Sequence, residues 1–138
     1  MRILIADDND RIRNAIKAML STEAGFEVCG EAAHGQQVLE LARQLLPDLV
    51  LLDIYMPESD GFQVARQLRQ EFPKLRVLIM SQGDAAMILP TALQIGVDGC
   101  LDKAYLGTEL ARKLRQLLEP DAATSSISRA VSGVHSPQ

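Results

Sequence analysis

Apolar positions along the chain follow two alternating patterns. Short apolar runs, typical of β-strands, alternate with stretches in which apolar residues recur every three or four positions, as on one face of a helix. Strands are predicted at 2–6, 26–32, 49–52, 76–80 and 99–101. Helices are predicted at 12–20, 38–46, 62–72 and 106–117, with one more between 84 and 95. This alternation predicts an α/β fold, a doubly wound five-stranded parallel sheet with helices on both faces.

The helix before the last strand is unusual, because residues 85–97 contain no charged side chain. A helix that is apolar nearly all round normally buries a second face. Pro90 fits poorly in a helix interior, so the helix is expected either to begin near Pro90 or to kink there. Two interpretations remain open. Either 82–89 is a mobile loop whose apolar patch docks onto a partner or a second copy, or 87–89 fold back onto the domain.

The composition changes after Leu118. Residues 119–138 contain many serines, two prolines and few large apolar side chains, which favours a linker or tail. Ile127, Val131 and Val134 nevertheless recur at helical spacing, so a short docking helix is the alternative. We therefore expect one domain over residues 1–118 and a serine-rich segment over 119–138.

Polar residues follow four of the predicted strands. Asp7 and Asp8 follow the first strand, Asp53 the third, Ser81 the fourth and Lys103 the fifth. In parallel α/β sheets the site lies beyond the carboxyl ends of the strands, so these side chains should converge on one crevice. Each has an ordinary structural role when taken alone: Asp8 a helix cap, Ser81 a turn residue, Lys103 a solvated cation. Their joint position favours a functional site.

Three carboxylates at one edge repel each other unless a cation offsets their charge. Mg²⁺ is the natural choice, since it takes oxygen ligands and keeps several waters. With the metal bound, one carboxylate is free to attack phosphorus and form an aspartyl phosphate. Asp53 is the best candidate, because it alone ends the fully apolar central strand. Lys103 and the Ser81 hydroxyl would then neutralise charge on the phosphoryl oxygens.

Charge and composition argue against several classes of protein. The chain of 138 residues has a formal net charge of −4 and no basic run, which argues against direct binding of nucleic acid. No apolar run reaches the roughly 18 residues of a membrane span, and Asp7 ends the first run too early for a signal peptide. Two cysteines, Cys29 and Cys100, are too few for a disulfide framework. We expect a cytoplasmic protein with no membrane partner.

The chain resembles the receiver domain of bacterial two-component response regulators, the CheY-like family. Four segments carry the resemblance: ILIADDN at 3–9, LVLLDIYMPESDGF at 49–62, VLIMSQGDA at 77–85 and GVDGCLDKA at 96–104. The resemblance covers residues 1 to about 118. It implies the flavodoxin-like strand order 2-1-3-4-5, which places Cys29 and Cys100 on opposite edge strands.

The resemblance also implies a role for each polar residue. Asp53 is the expected phosphoacceptor and takes its phosphoryl group from the phosphohistidine of a sensor histidine kinase. Ser81 is the expected switch hydroxyl and Lys103 the phosphoryl-binding cation. The implied Mg²⁺ ligands are Asp8, Asp53, the Tyr55 backbone carbonyl and, through water, Asp7. Such a domain is not an enzyme beyond its own phosphorylation and dephosphorylation. Its switch controls a partner or effector, and the region from the fourth to the fifth helix is the expected homodimer surface.

Two positions depart from the family pattern. Cys100 stands where the family usually has Tyr or Phe, and its small side chain cannot fill the same space, so the usual signal relay is in doubt. Ala104 follows Lys103 where the family often has a cis proline. A cis bond before a non-proline residue costs about 3–4 kcal/mol, so either the site supports it or the loop runs trans.

Two other functions are compatible with part of the sequence. A small phosphatase working through an aspartyl phosphate would use Asp8 and Asp10 after the first strand, but Arg11 follows where a small residue is expected, and Asp53 is left unexplained. A degenerate receiver acting only as a protein-binding scaffold is supported by Cys100 and Ala104 alone, and the intact acidic residues argue against it.

Overall fold

A computed structural model describes residues 1–118, so the segment interpreted as a tail or docking helix lies outside the described residues. The strands are β1 (Arg2–Ala6), β2 (Glu27–Ala32), β3 (Leu49–Asp53), β4 (Arg76–Ser81) and β5 (Gly99–Asp102). The helices are α1 (Asp10–Ser21), α2 (Gly35–Leu45), α3 (Gly61–Glu71), α4 (Ala85–Ile95) and α5 (Leu106–Leu118), with a 3₁₀-helix at Lys103–Tyr105.

All strand pairs are parallel, in the order β2-β1-β3-β4-β5, as expected from the sequence. Two apolar cores cover the two faces of the sheet. Side chains of α1 and α5 pack on one face, around Ile5, Leu51 and Met80. Side chains of α2, α3 and α4 pack on the other, around Leu52 and Ile79. Every residue of β3 is buried, because helices cover both of its faces.

Polar residues begin the first three helices. Asn9, His34 and Asp60 accept hydrogen bonds from first-turn amides of α1, α2 and α3, respectively. Asn9, rather than Asp8, is therefore the residue that caps α1. Such a cap satisfies amides that have no partner inside the helix.

The expectation for the fourth helix was partly wrong. The helix does not begin near Pro90, since α4 starts at Ala85 and includes Pro90. The proline cannot bond to the Ala86 carbonyl, but both residues are exposed, so water can hydrate that carbonyl. Residues 85–89 are consequently helical rather than part of a loop. Within them Ile88 is buried, whereas Met87 is 81% exposed.

The two cysteines lie on the outermost strands, as expected, and both are free thiols. Cys100 is buried, but Cys29 is only half-buried, because β2 is covered less well than the interior strands. Within residues 1–118, no helix combines the length and apolar character needed to cross a bilayer.

Candidate functional site

Three acidic residues converge at the carboxyl ends of β1 and β3. Asp7 and Asp8 follow β1, and Asp53 ends β3. One oxygen of each carboxylate lies within 4.8 Å of an oxygen of each of the others. Asp7 and Asp53 are buried, whereas Asp8 is exposed to solvent. We call these three residues the acid cluster. The convergence predicted from the strand ends is therefore present.

Lys103 completes the acid cluster from the end of β5. Its Nζ lies 2.7 Å from Asp7 Oδ2 and 3.1 Å from Asp53 Oδ2. Burial alone would lower the pKa of Lys103, but the two carboxylates outweigh it and raise that pKa. Lys103 thus stays a cation. The described peptide bonds are all trans, so Lys103 reaches the acids without the cis bond considered for Lys103–Ala104.

Asp53 is held in a defined orientation. The Tyr55 backbone N–H donates to Asp53 Oδ1 at 3.0 Å, and Lys103 contacts the other oxygen. Burial raises the pKa of Asp53, and the charge of Asp7 adds to that rise, while the Tyr55 N–H and Lys103 oppose it. The carboxylate therefore needs cations beside it to stay ionised, which is the state in which it is a nucleophile.

The acid cluster suits a hard divalent cation. It offers carboxylate oxygens from three residues, which are the ligands that Mg²⁺ prefers. Three negative charges face one ammonium group, so a second cation would balance the charge better. Asp8 is exposed and gives such an ion access from solvent. The residues present fit Mg²⁺.

Ser81 ends β4 and pairs with Asp102 of β5. It directly follows Met80, which pairs with Asp53 of β3. It is fully buried, and its Oγ makes no hydrogen bond. An unpaired buried hydroxyl costs free energy, so a hydrogen-bond acceptor brought to this point would stabilise the site. Cys100, the replacement for the usual aromatic side chain, is also fully buried, and burial raises the pKa of its thiol to about 12. It behaves as a small apolar residue.

Sequence reasoning missed three residues that shape the site. Arg13 of α1 donates from Nη1 to the Asp7 carbonyl at 2.6 Å and pairs with Glu31 of β2. The Asn9 N–H donates to Asp7 Oδ1 at 2.8 Å, which fixes that carboxylate. Asp84 accepts a hydrogen bond from the Tyr55 hydroxyl. These three hydrogen bonds depend on the path of the backbone in the turns, so the hydrophobic pattern of the sequence does not predict them.

Comparison with known proteins identifies the family. The profile of the response regulator receiver domain matches residues 3–117. This chain belongs to the response regulator receiver domain family. Response regulator protein VraR of Staphylococcus aureus is 31% identical over 116 residues, which are 84% of this chain and 56% of VraR. This receiver domain thus spans little more than half the length of the curated relatives it matches.

Solved structures give the same fold. The signal receiver domain described as that of NarL from Mycobacterium tuberculosis is 37% identical, with a TM-score of 0.77 over 84% of this chain and 94% of the other. A LuxR-family response regulator from Aurantimonas is 26% identical, with a TM-score of 0.79 over 92% and 95%. The isolated receiver domain of RcsB from Salmonella enterica matches in fold, with a TM-score of 0.81.

Proposed function

We propose that this receiver domain accepts a phosphoryl group on Asp53 from the phosphohistidine of a sensor histidine kinase, in the cytoplasm, and so controls an effector. The observation that carries the proposal is the contact of Lys103 with both Asp7 and Asp53. A cation at hydrogen-bond distance favours the ionised form of a buried carboxylate and can also neutralise charge on an incoming anionic group. A solvated lysine or a helix cap would explain neither contact.

The transfer follows from this arrangement. An Asp53 oxygen attacks the phosphorus atom while the P–N bond of the phosphohistidine breaks, and the bonding electron pair stays on the imidazole nitrogen. Lys103 neutralises charge on the phosphoryl oxygens, and the unpaired Ser81 hydroxyl turns toward one of them and donates to it. Mg²⁺, held by Asp7, Asp8, Asp53 and the Tyr55 carbonyl, would supply further positive charge when bound.

The phosphorylated state then acts on a partner, either an effector or a second copy of the chain. An added charge of about −1.5 to −2 at one point biases a two-state equilibrium of nearby loops. The surface proposed to respond is the α4–α5 region, where Met87 is 81% exposed. The effector proposed here includes a transcriptional one.

Mass spectrometry after acetyl phosphate treatment with Mg²⁺ tests the proposal. We expect one phosphoryl group, mapped to Asp53 and lost in Asp53→Ala. Glu58→Ala, an exposed acid in the following loop, is the control and should be labelled normally. Label that persists on Asp53→Ala would show that another residue is the acceptor. A protein that neither binds Mg²⁺ nor is labelled would instead be the scaffold.

A further inference from the structure

Asp84, the residue before α4, has a carboxylate that does not cap the helix. Asp84 occupies the N-cap position of α4, and Asp is one of the best residue types there. The N-cap side chains of α1, α2 and α3 all accept hydrogen bonds from first-turn amides. The Asp84 side chain accepts none of this kind. Helix α4 therefore begins without the cap that its sequence provides.

The Asp84 carboxylate is engaged elsewhere. Its Oδ2 accepts the hydrogen bond from the Tyr55 hydroxyl, and its Oδ1 is buried without a partner. The Ala86 N–H, two positions further on, donates no hydrogen bond to the described residues. An N-cap side chain usually accepts from this position or the next. A free acceptor and a free donor thus lie within one turn of each other.

The backbone of Asp84 differs between the present arrangement, in which its carboxylate binds Tyr55, and one in which it would cap α4. The ψ angle of Asp84 is 23°, whereas the capping residues Asn9, His34 and Asp60 have ψ angles of 113°, 166° and 109°. Capping of α4 therefore requires the Asp84 backbone to turn toward the extended region. That rotation moves the carboxylate away from its present position, so the bond to Tyr55 and the cap compete for it.

Tyr55 links this choice to the acid cluster. Its backbone N–H donates to Asp53 Oδ1, while its hydroxyl holds Asp84. Phosphorylation at one Asp53 oxygen leaves the other as an uncharged carbonyl oxygen, with the negative charge now on the phosphoryl group, and hydrogen bonds to charged acceptors are roughly twice as strong as those to neutral ones. The bond that anchors Tyr55 is thereby weakened.

We propose that Asp84 exchanges partners when Asp53 is phosphorylated, leaving the Tyr55 hydroxyl and capping α4 through the Ala86 amide. This inference rests on the proposed function and names how that site is coupled to α4. The route runs from Asp53 through Tyr55 to Asp84. It does not need an aromatic side chain at position 100, where this chain has cysteine.

Hydrogen exchange of the Ala86 amide with solvent, measured by NMR on the ¹⁵N-labelled full chain, tests whether Asp84 changes its hydrogen-bond partner. In the wild type, Mg²⁺ with the phosphoryl mimic beryllofluoride should slow Ala86 exchange about fivefold, the expected effect of an N-cap. Tyr55→Phe removes the competing donor and should give the slow rate without the mimic. Tyr105→Phe, the other tyrosine and 62% exposed, is the matched control and should exchange like the wild type. Asp84→Ala should exchange fast in every condition.

Equal Ala86 exchange rates in Tyr55→Phe and Tyr105→Phe would overturn the proposal. An unchanged rate in the wild type with Mg²⁺ and beryllofluoride would overturn it as well, provided that Asp53 is labelled by acetyl phosphate. If Asp53 is not labelled, the proposed function fails. The comparison of the two tyrosine variants still decides whether Asp84 can leave the Tyr55 hydroxyl and cap α4.

Discussion

Lys103 Nζ lies 2.7 Å from Asp7 Oδ2, the shorter of its two contacts with the acid cluster. The ammonium therefore stands between Asp7 and Asp53 and holds two buried carboxylates together. A divalent cation bound by the acid cluster would add positive charge beside the same carboxylates. Lys103 and the metal would then both neutralise the acid cluster, and separate variants at Lys103 and Asp8 distinguish their contributions.

Replacing Lys103 by Met should separate metal binding from phosphorylation. We expect Mg²⁺ binding to persist, because the three carboxylates remain, and labelling by acetyl phosphate to slow about 10²-fold, because one stabilising charge is lost. Isothermal titration and the rate of label incorporation measure the two effects. Lys17→Met, at a half-exposed lysine paired with Glu31, is the control and should be labelled normally. Loss of Mg²⁺ binding in Lys103→Met would contradict the assignment.

Mg²⁺ should stabilise the folded chain through Asp8. A ligand at 100 times its dissociation constant adds about 2.7 kcal/mol to the free energy of unfolding, which raises the melting temperature by several degrees. Asp8→Asn removes the exposed acid of the cluster and should weaken Mg²⁺ binding at least tenfold, so most of this shift disappears. Asp10→Asn serves as control. An equal shift in both variants would show that Asp8 is not a ligand.

Ser81→Ala should have opposite effects on stability and on signalling. The Oγ is buried and unpaired, so its removal should raise the free energy of unfolding of the unphosphorylated protein by about 1 kcal/mol. The response to beryllofluoride should weaken, because the donor to the phosphoryl group is gone. Urea denaturation and NMR shifts of α4 measure the two. Ser21→Ala, at an exposed hydroxyl, should change stability by less than about 0.5 kcal/mol.

Stability should depend on pH through Glu31. The hydrogen bond from Lys17 lowers the pKa of Glu31, burial opposes this, and Arg13 adds to the lowering. A carboxyl whose folded pKa is lowered stabilises the fold fully above its unfolded pKa of about 4.3, and this contribution is lost as pH falls through the folded value. Glu31→Gln should therefore flatten the decline of the urea midpoint below about pH 5. An unchanged decline would show that this pair does not contribute.

Two glycine substitutions should have opposite effects. A Cβ at Gly61 would lie 2.6 Å from the backbone of Ile54, so Gly61→Ala should reduce the free energy of unfolding by about 1–3 kcal/mol. Gly107 lies in α5 with nothing within 4 Å of the added carbon. Gly107→Ala should stabilise by up to about 1 kcal/mol. Equal effects in urea denaturation would contradict the close approach of α3 to the loop after Asp53.

The sequence pattern predicted the sheet and the residues at its edge, but three strands were ended one residue too early. Asp53, Ser81 and Asp102 each continue their strand. Asp53 pairs with Met80, and Ser81 pairs with Asp102. A hydrophobic pattern stops at the first polar side chain, whereas backbone pairing does not depend on side-chain polarity. Asp53 and Ser81 are therefore held by the sheet itself, whereas Asp7, Asp8 and Lys103 follow the ends of their strands.

Contacts between loops could not be predicted. Tyr55 and Asp84 are 29 positions apart in the chain, and their hydrogen bond depends on the backbone path of two turns. The same holds for Arg13, whose partner is the backbone carbonyl of Asp7. The start of α4 was misjudged for another reason. Pro90 counts against a helix locally, but an exposed carbonyl in the preceding turn removes much of the penalty.

The positions of the two cysteines allow the opening of one sheet edge to be followed by thiol alkylation. Four strand spacings of about 4.8 Å separate the outermost strands, so no intramolecular disulfide can form without rearrangement. Only the thiolate reacts with alkylating reagents. Burial raises the pKa of both thiols, but Cys29 is partly exposed, whereas Cys100 is fully buried and its pKa rises to about 12. Iodoacetamide should modify Cys29 of the native domain and should reach Cys100 only after strand β5 separates from its covering side chains. The delay between the two alkylated products would therefore report the rate of that local opening.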